Sequence, residues 1–165
     1  MTTLSTPTLT VTLPSDREVV LEREFDAPRN LVFEAFSKPE HVGRWWGQAG
    51  STMSTCEMDF RPGGAWRFVE QAADGNEYGF HGEYREIVRP DRIVWTFEWE
   101  GLPGHISVDT LVFQEIEQAE RRRTRITSTT VFASVEDRDG MVQSGMAQGA
   151  SESYERLAKY LQTLA

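Results

Sequence analysis

The chain is poor in nearly every residue pattern that would announce a reaction. It has one cysteine, Cys56, which excludes an internal disulfide and leaves a thiolate zinc cluster without ligands. A lone cysteine of this kind reads as a small buried apolar residue rather than a catalytic thiol. The three histidines, His41, His81 and His105, are scattered without H-x-H or H-x-x-x-H spacing and outline no metal site. No run approaches the ~18 apolar residues that span a bilayer. The polar, Thr-rich start lacks a signal peptide's basic and apolar segments, so a cytoplasmic location with no membrane partner is expected. Basic residues are also short, with 17 Lys and Arg against 26 Asp and Glu for a net charge of -9. That balance repels a phosphate backbone and argues against nucleic acid as a partner. The local exception, Arg121, Arg122, Arg123 and Arg125, reads as a solvated hairpin end relieving a negative surface. Neither a G-x-S-x-G elbow nor a dinucleotide fingerprint occurs. Arg61-Pro62-Gly63-Gly64 lacks the Lys-Ser/Thr ending of a P-loop and reads as a hairpin turn. No cofactor is called for.

What is present is one domain's worth of patterned chain. At 165 residues, 39% hydrophobic and 26% charged, the composition is ordinary for a globular protein. A chain of this size buries roughly 68–70% of its unfolded surface. Residues 1–15 read either as a disordered extension or, over Thr8 to Leu13, as an edge strand; residues 16–165 form the domain. Arg17 to Asp26 alternates as a strand with Val19, Leu21 and Phe25 on one face. Asp26 is then a candidate N-cap, with Pro28 in the first helical turn and Leu31, Val32, Ala35 and Phe36 as its apolar stripe. Ser37-Lys38-Pro39-Glu40 has the form of a capping box that starts a second short helix. Strands are expected over 56–60, 65–71, 77–88, 93–100, 106–117 and 123–133. Asp74-Gly75 and Arg89-Pro90-Asp91 turn the chain between them. Both faces of several strands carry apolar residues, which leaves the inward parity of 77–88 and 106–117 open. From about Asp137 the chain turns helical: Met146, Ala150, Tyr154, Leu157, Leu161 and Leu164 recur at spacings of three and four. A helix from Met141 to Thr163, bent at Gly145 or Gly149, would be about 35 Å long. An antiparallel sheet with helices on one face is an α+β solution.

This order, carried by particular residues, resembles the helix-grip fold of the START-like superfamily (SRPBCC). The likeness is greatest to the branch named for the activator of the heat-shock protein 90 ATPase. The matching motifs are Phe25-Asp26-Ala27-Pro28-Arg29, Val32-Phe33, Pro39-Glu40-His41, Trp45-Trp46-Gly47, Asp59-Phe60-Arg61-Pro62-Gly63-Gly64, Gly82-Glu83-Tyr84-Arg85-Glu86 and Ser153-Tyr154-Glu155-Arg156-Leu157-Ala158. The resemblance implies a curved antiparallel sheet wrapped around a long C-terminal helix, with a cavity for apolar molecules between them. Some members of the superfamily catalyse cyclisation or dehydration. A chaperone co-factor of this branch also carries a separate N-terminal chaperone-binding domain, which 165 residues do not accommodate, so a chaperone partner is not expected. Where the branch usually has Gly-Trp on the terminal helix, this chain has Gly149-Ala150, a loss of volume that would open one end of the cavity.

The leading expectation is a monomeric or homodimeric protein that holds a small apolar or aromatic molecule between sheet and terminal helix. Its lining would be Trp45, Trp66, Phe68, His81, Trp95, Phe97, Trp99, Phe113, Met146, Ala150 and Tyr154. Trp45-Trp46 reads as either a packing plug or a gate over the cavity mouth. The alternatives are an enzyme and an interaction module for a chaperone or regulator. The enzyme would be of cyclase, dehydratase or hydrolase type, using His81 with Glu83, or Asp59 or Asp109, as acid and base. The His81 and Glu83 pair works only if its strand face is concave; the other parity turns Phe80, Gly82 and Tyr84 inward.

Overall fold

The computed structural model describes Ser5 and residues 8–118 and 120–164. In chain order the elements are β1 (Thr10–Thr12), β2 (Glu18–Phe25), α1 (Arg29–Ser37), α2 (Pro39–Trp45), β3 (Thr52–Met58), β4 (Ala65–Gln71), β5 (Glu77–Val88), β6 (Arg92–Trp99), β7 (Ile106–Gln118), β8 (Arg121–Val131), α3 (Val135–Gln143) and α4 (Met146–Leu164). The strands form one antiparallel sheet in the order β1-β2-β8-β7-β6-β5-β4-β3. Hairpins join every neighbouring pair from β3 to β8, and β2 closes onto β8 from the other end of the chain. Both α1 and α2 lie in the connection between β2 and β3, which stand toward opposite edges of the sheet; α1 packs against β7 and β8, and α2 against β3. The result is the helix-grip arrangement, α+β in class.

The strand pairings fix which face is inner. On β2, Val19, Leu21 and Phe25 are buried, and they stand opposite Thr130, Ser128 and Thr124 of β8. Across the sheet the same face continues through Leu111 and Asp109 of β7, Ile93 and Trp95 of β6, Tyr84, Gly82 and Phe80 of β5, and Trp66 and Phe68 of β4. Against it α4 packs Ser151, Tyr154, Leu157 and Leu161, a stripe at helical spacing. The Tyr154 ring meets Phe25 edge-on at 5.7 Å. Burying Leu157 completely contributes roughly 1.5–3 kcal/mol.

Several local expectations are corrected. Asp26 does not cap α1: Pro28 occupies the N-cap with no side-chain bond, and Asp26 pairs with Arg121 at 3.0 Å. The fixed φ of Pro28 starts the helix without a cap. Ser37 makes no capping box either, because Lys38 is the N-cap of α2 and the Ser37 hydroxyl donates back to the Glu34 carbonyl. The terminal helix is two helices. Ser134 caps α3 by accepting from the Asp137 N–H, and Gly145, at φ +93, separates α3 from α4. Residues 10–12 form the edge strand β1; residues 1–4, 6 and 7 lie outside the described residues. Strand β3 runs over Thr52–Met58 rather than 56–60.

The Arg61-Pro62-Gly63-Gly64 segment turns β3 into β4, and its backbone also bonds β5 through Gly63 N–H to the Tyr84 carbonyl. A Cβ on Gly64 would lie 1.9 Å from the Asp59 carbonyl oxygen, so the turn requires glycine there.

Candidate functional site

The inner face of β4, β5 and β6 is built of aromatic rings. Trp66 touches Phe68, Trp95 and Phe97 at centroid distances of 4.6, 5.1 and 5.2 Å, and Trp95 stacks on Tyr84 at 5.9 Å. Trp66 stands opposite Gly82, and with no side chain there its indole crosses β5 to donate to the Thr96 carbonyl on β6. The Tyr84 hydroxyl is buried without a hydrogen-bond partner among the described residues, and burial raises its pKa.

Beside these rings sits a carboxyl group. Asp109 of β7 lies opposite Trp95, whose indole N–H donates to Oδ2 at 2.8 Å. The Ser128 hydroxyl donates to Oδ1 at 2.7 Å, and the Thr130 hydroxyl reaches the same oxygen at 3.4 Å. Burial pushes the Asp109 pKa above the ordinary aspartate value, opposed by the hydrogen bonds from Ser128, Trp95 and Thr130. All three donors are neutral, and among the described residues Asp109 forms no ion pair. On α4, burial raises the Tyr154 phenol pKa, the charge of Asp109 raises it further, and the Arg23 guanidinium opposes both.

Asp109 is deep but not sealed. Its inward neighbours on the same strand, Ser107 and Leu111, are 5% and 1% exposed, whereas Asp109 itself is half-buried. A side chain on the inner face of a central strand keeps accessible surface when space wide enough for water reaches it. The same is true of Phe80, Phe97 and Trp46, whose rings meet one another or Phe68 on the inner face and are half-buried. Met146 and Ala150 of α4, also half-buried, pack against the hydrophobic core. Trp46, Phe80, Phe97 and Asp109 thus all retain accessible surface on the inner face.

The expected lining divides accordingly. Trp66, Phe68, Trp95, Phe97, Met146, Ala150 and Tyr154 lie on the inner side. Trp99 shares the inward register opposite Phe80 but, at the strand end, is 36% exposed. Trp45 is a plug: it is 2% exposed, its indole donates to the Ala35 carbonyl, and its ring meets Phe36 at 4.7 Å. The member of the pair that turns inward is Trp46. Phe113 is sealed beneath α1 by Phe33 and Phe36.

His81 and Glu83 face the convex side, which corrects their placement in a cavity. His81 pairs with Glu98 across the strand and bonds Glu100 at 2.9 Å, and Glu83 is exposed beside Arg85. Bonds first from Arg67 and then from His81 hold Glu100 down at about 2. Asp59 is exposed and paired with Arg61 in the hairpin turn. His41 bonds the Tyr160 hydroxyl, and His105 bonds Asp137 of α3. Among the described residues no three His, Cys, Asp or Glu side chains are grouped to hold a metal ion, and no helix is long and apolar enough to cross a membrane.

Two open clefts are lined by other residues. One, about 420 Å³, is bordered by Thr8, Thr10, Glu22, Arg23, Glu24, Arg123 and Arg125. Its arginines are engaged by Glu24 and Glu155. The other, about 320 Å³, lies between Arg44 of α2 and Arg156, Lys159, Tyr160 and Thr163 of α4.

An eight-stranded sheet gripping a C-terminal helix, with an aromatic inner face, defines a helix-grip protein. The chain belongs to the family described as Activator of Hsp90 ATPase homolog 1-like protein, whose sequence profile matches residues 26–162. Solved structures share the fold. A protein from Rhodobacter sphaeroides is 23% identical over 95% of this chain and 99% of its own, with a TM-score of 0.83. One from Nitrosomonas europaea is 24% identical over 92% and 97%, with a TM-score of 0.78. An AHSA1 protein from Silicibacter pomeroyi is 21% identical over 90% and 99%, with a TM-score of 0.69. No curated protein matches the sequence.

Proposed function

We propose that the chain binds a small, largely apolar molecule in the hollow between the sheet and α4, with aromatic rings as its walls and Asp109 as its polar group. The observation that carries this reading is the accessible surface of Asp109 between two sealed neighbours on a central strand. Sites for small molecules combine predominantly apolar walls with few, well-placed polar groups, and the Trp66, Trp95, Phe97 and Asp109 group has that composition. Ala150, small where the branch usually carries a bulky indole, favours an open hollow at the α4 end.

The enzyme reading loses its His81 and Glu83 pair, since both side chains face away from the hollow. Titration with a panel of apolar fluorescent probes, together with native mass spectrometry of the purified protein, tests the binding reading. Saturable enhancement at one probe per chain is expected, quenching the emission of the inner tryptophans. Emission that rises without saturation, or a protein that takes up no probe, would reject it.

A further inference from the structure

We propose that the open cleft between α2 and α4 is an anion site that takes a phosphate group, held by Arg44, Arg156 and Lys159. It is lined by none of the inner-face aromatics, and its test is independent of the apolar site proposed above.

The argument begins with how the charges pair. The chain carries 26 Asp and Glu against 17 Lys and Arg, so a cation that meets no carboxylate is the exception. Among the described residues the cations outside ion pairs are Arg17, Arg44, Arg89, Arg122, Arg156 and Lys159. Half of these border one opening, the cleft of about 320 Å³ whose other walls are Tyr160 and Thr163. Among the described residues no carboxylate lines it.

Helix geometry gathers the three charges. Arg156, Lys159, Tyr160 and Thr163 recur at spacings of three and four, so they share one face of α4. Arg44 joins them from the last turn of α2, which packs on α4. Arg156 is fixed in place: its Nη1 donates to the Gln48 carbonyl at 3.1 Å and to the Ser51 hydroxyl at 3.2 Å. Both acceptors are neutral, so the guanidinium is positioned without being neutralised. Its Nε and Nη2, the two-donor edge of the group, donate to no described residue.

The nearby carboxylates are engaged elsewhere. Glu155 accepts from Thr8 and Arg23, Glu152 from the Ala49 N–H and Gln148, and buried Glu70 from Gln48. Glu40, one turn before Arg44, forms no ion pair with it among the described residues. The hydroxyls of the cleft are also occupied, since Thr163 donates to the Tyr160 carbonyl and Tyr160 bonds His41. Recognition therefore falls to the three cations. Like charges around one opening repel one another, and an anion between them turns that repulsion into attraction. A phosphate group suits them: it carries about -1.5 to -2 at neutral pH, and its oxygens take the planar fork of arginine two at a time.

The test titrates the full chain at neutral pH and constant ionic strength with inorganic phosphate, phenyl phosphate and acetate, followed through the Arg156 Nε–H resonance. Both phosphates are expected to give saturable shifts, at least about tenfold tighter than the singly charged acetate. Arg44→Gln combined with Lys159→Gln should weaken phosphate by at least about tenfold. Both side chains are exposed, so the variant should keep its fold by circular dichroism. Arg122→Gln removes an exposed, unpaired cation outside the cleft and should leave phosphate affinity unchanged. A preference for phenyl phosphate assigns the group to a monoester, and equal affinity assigns it to the free ion.

Equal affinity for phosphate and acetate, or a shift that never saturates, overturns the inference. A folded double variant that binds phosphate as the unmodified protein does removes the cleft from the recognition. An equal loss in Arg122→Gln would show attraction to the protein's cations at large, and overturns the site as well.

Discussion

The indole N–H of Trp95 donates to Oδ2 of Asp109 at 2.8 Å, across two strands in direct register at the centre of the inner face. This bond ties the aromatic group of β4, β5 and β6 to a carboxyl group of β7. It fixes the carboxyl without neutralising it.

Stability should report the protonation of that carboxyl. The folded pKa of Asp109 is raised by burial, so the folded state holds the proton to higher pH than the unfolded state does. Its contribution to stability is therefore fully present below the ordinary aspartate pKa and is lost as pH rises from there through the folded value. Urea unfolding between pH 4 and pH 8 should show this decline, and Asp109→Asn should flatten it. A variant whose decline matches that of the unmodified protein would contradict the assignment.

Gly82 makes room for the Trp66 bond. A Cβ there would lie 2.0 Å from the Thr96 carbonyl oxygen, the acceptor of the Trp66 indole. Gly82→Ala should destabilise the protein by about 1–3 kcal/mol in urea unfolding, as overpacked cores do. A loss below about 0.5 kcal/mol would show that the strand relaxes around the methyl group.

His81 and Glu83 should be silent in binding. Both face the convex surface, so His81→Ala and Glu83→Ala should leave probe affinity unchanged and move stability by no more than about 0.5 kcal/mol. A fall in probe affinity with either variant would return the pair to the site.

Cys56 should be a sluggish thiol. Burial raises its pKa from 9.0 to about 11, and its sulfhydryl lies 3.6 Å from the Pro39 carbonyl oxygen. At pH 8 the thiolate fraction is then about a hundredfold below that of a thiol of ordinary pKa, and alkylation by iodoacetamide should slow accordingly. Labelling at the rate of a free cysteine peptide would contradict the burial.

The order of elements was legible because hydrophobic period separates strand from helix: β4 and β5 fall where alternation places them, and the Leu157 and Leu161 stripe is helical on sight. Parity was not legible, for a physical reason. Strand β5 carries a register shift between Tyr84 and Glu86, so the inward set changes from Phe80, Gly82 and Tyr84 to Ile87 within one strand. No period-two count survives such a shift. Asp109 was visible as a candidate acid, but its position opposite Trp95 depends on the pairing of β6 with β7, which composition does not encode. The helix starts misled for the opposite reason: good capping residues were present, yet Pro28 and Pro39 set the backbone without them. Trp45 and Trp46 look equivalent in sequence, and only the end of α2 turns one into the core and the other toward Phe68 and Phe80.

The space beside Asp109 is the claim on which the functional account stands, and filling it is the direct challenge. Ala150 lies on α4, half-buried and packed against the hydrophobic core. Ala150→Trp should lower the affinity of an apolar probe by at least about tenfold while the protein stays folded by circular dichroism, and the Trp95 indole N–H should no longer shift on titration. A folded Ala150→Trp variant that binds the probe as the unmodified protein does, with the same Trp95 shift, would contradict the account.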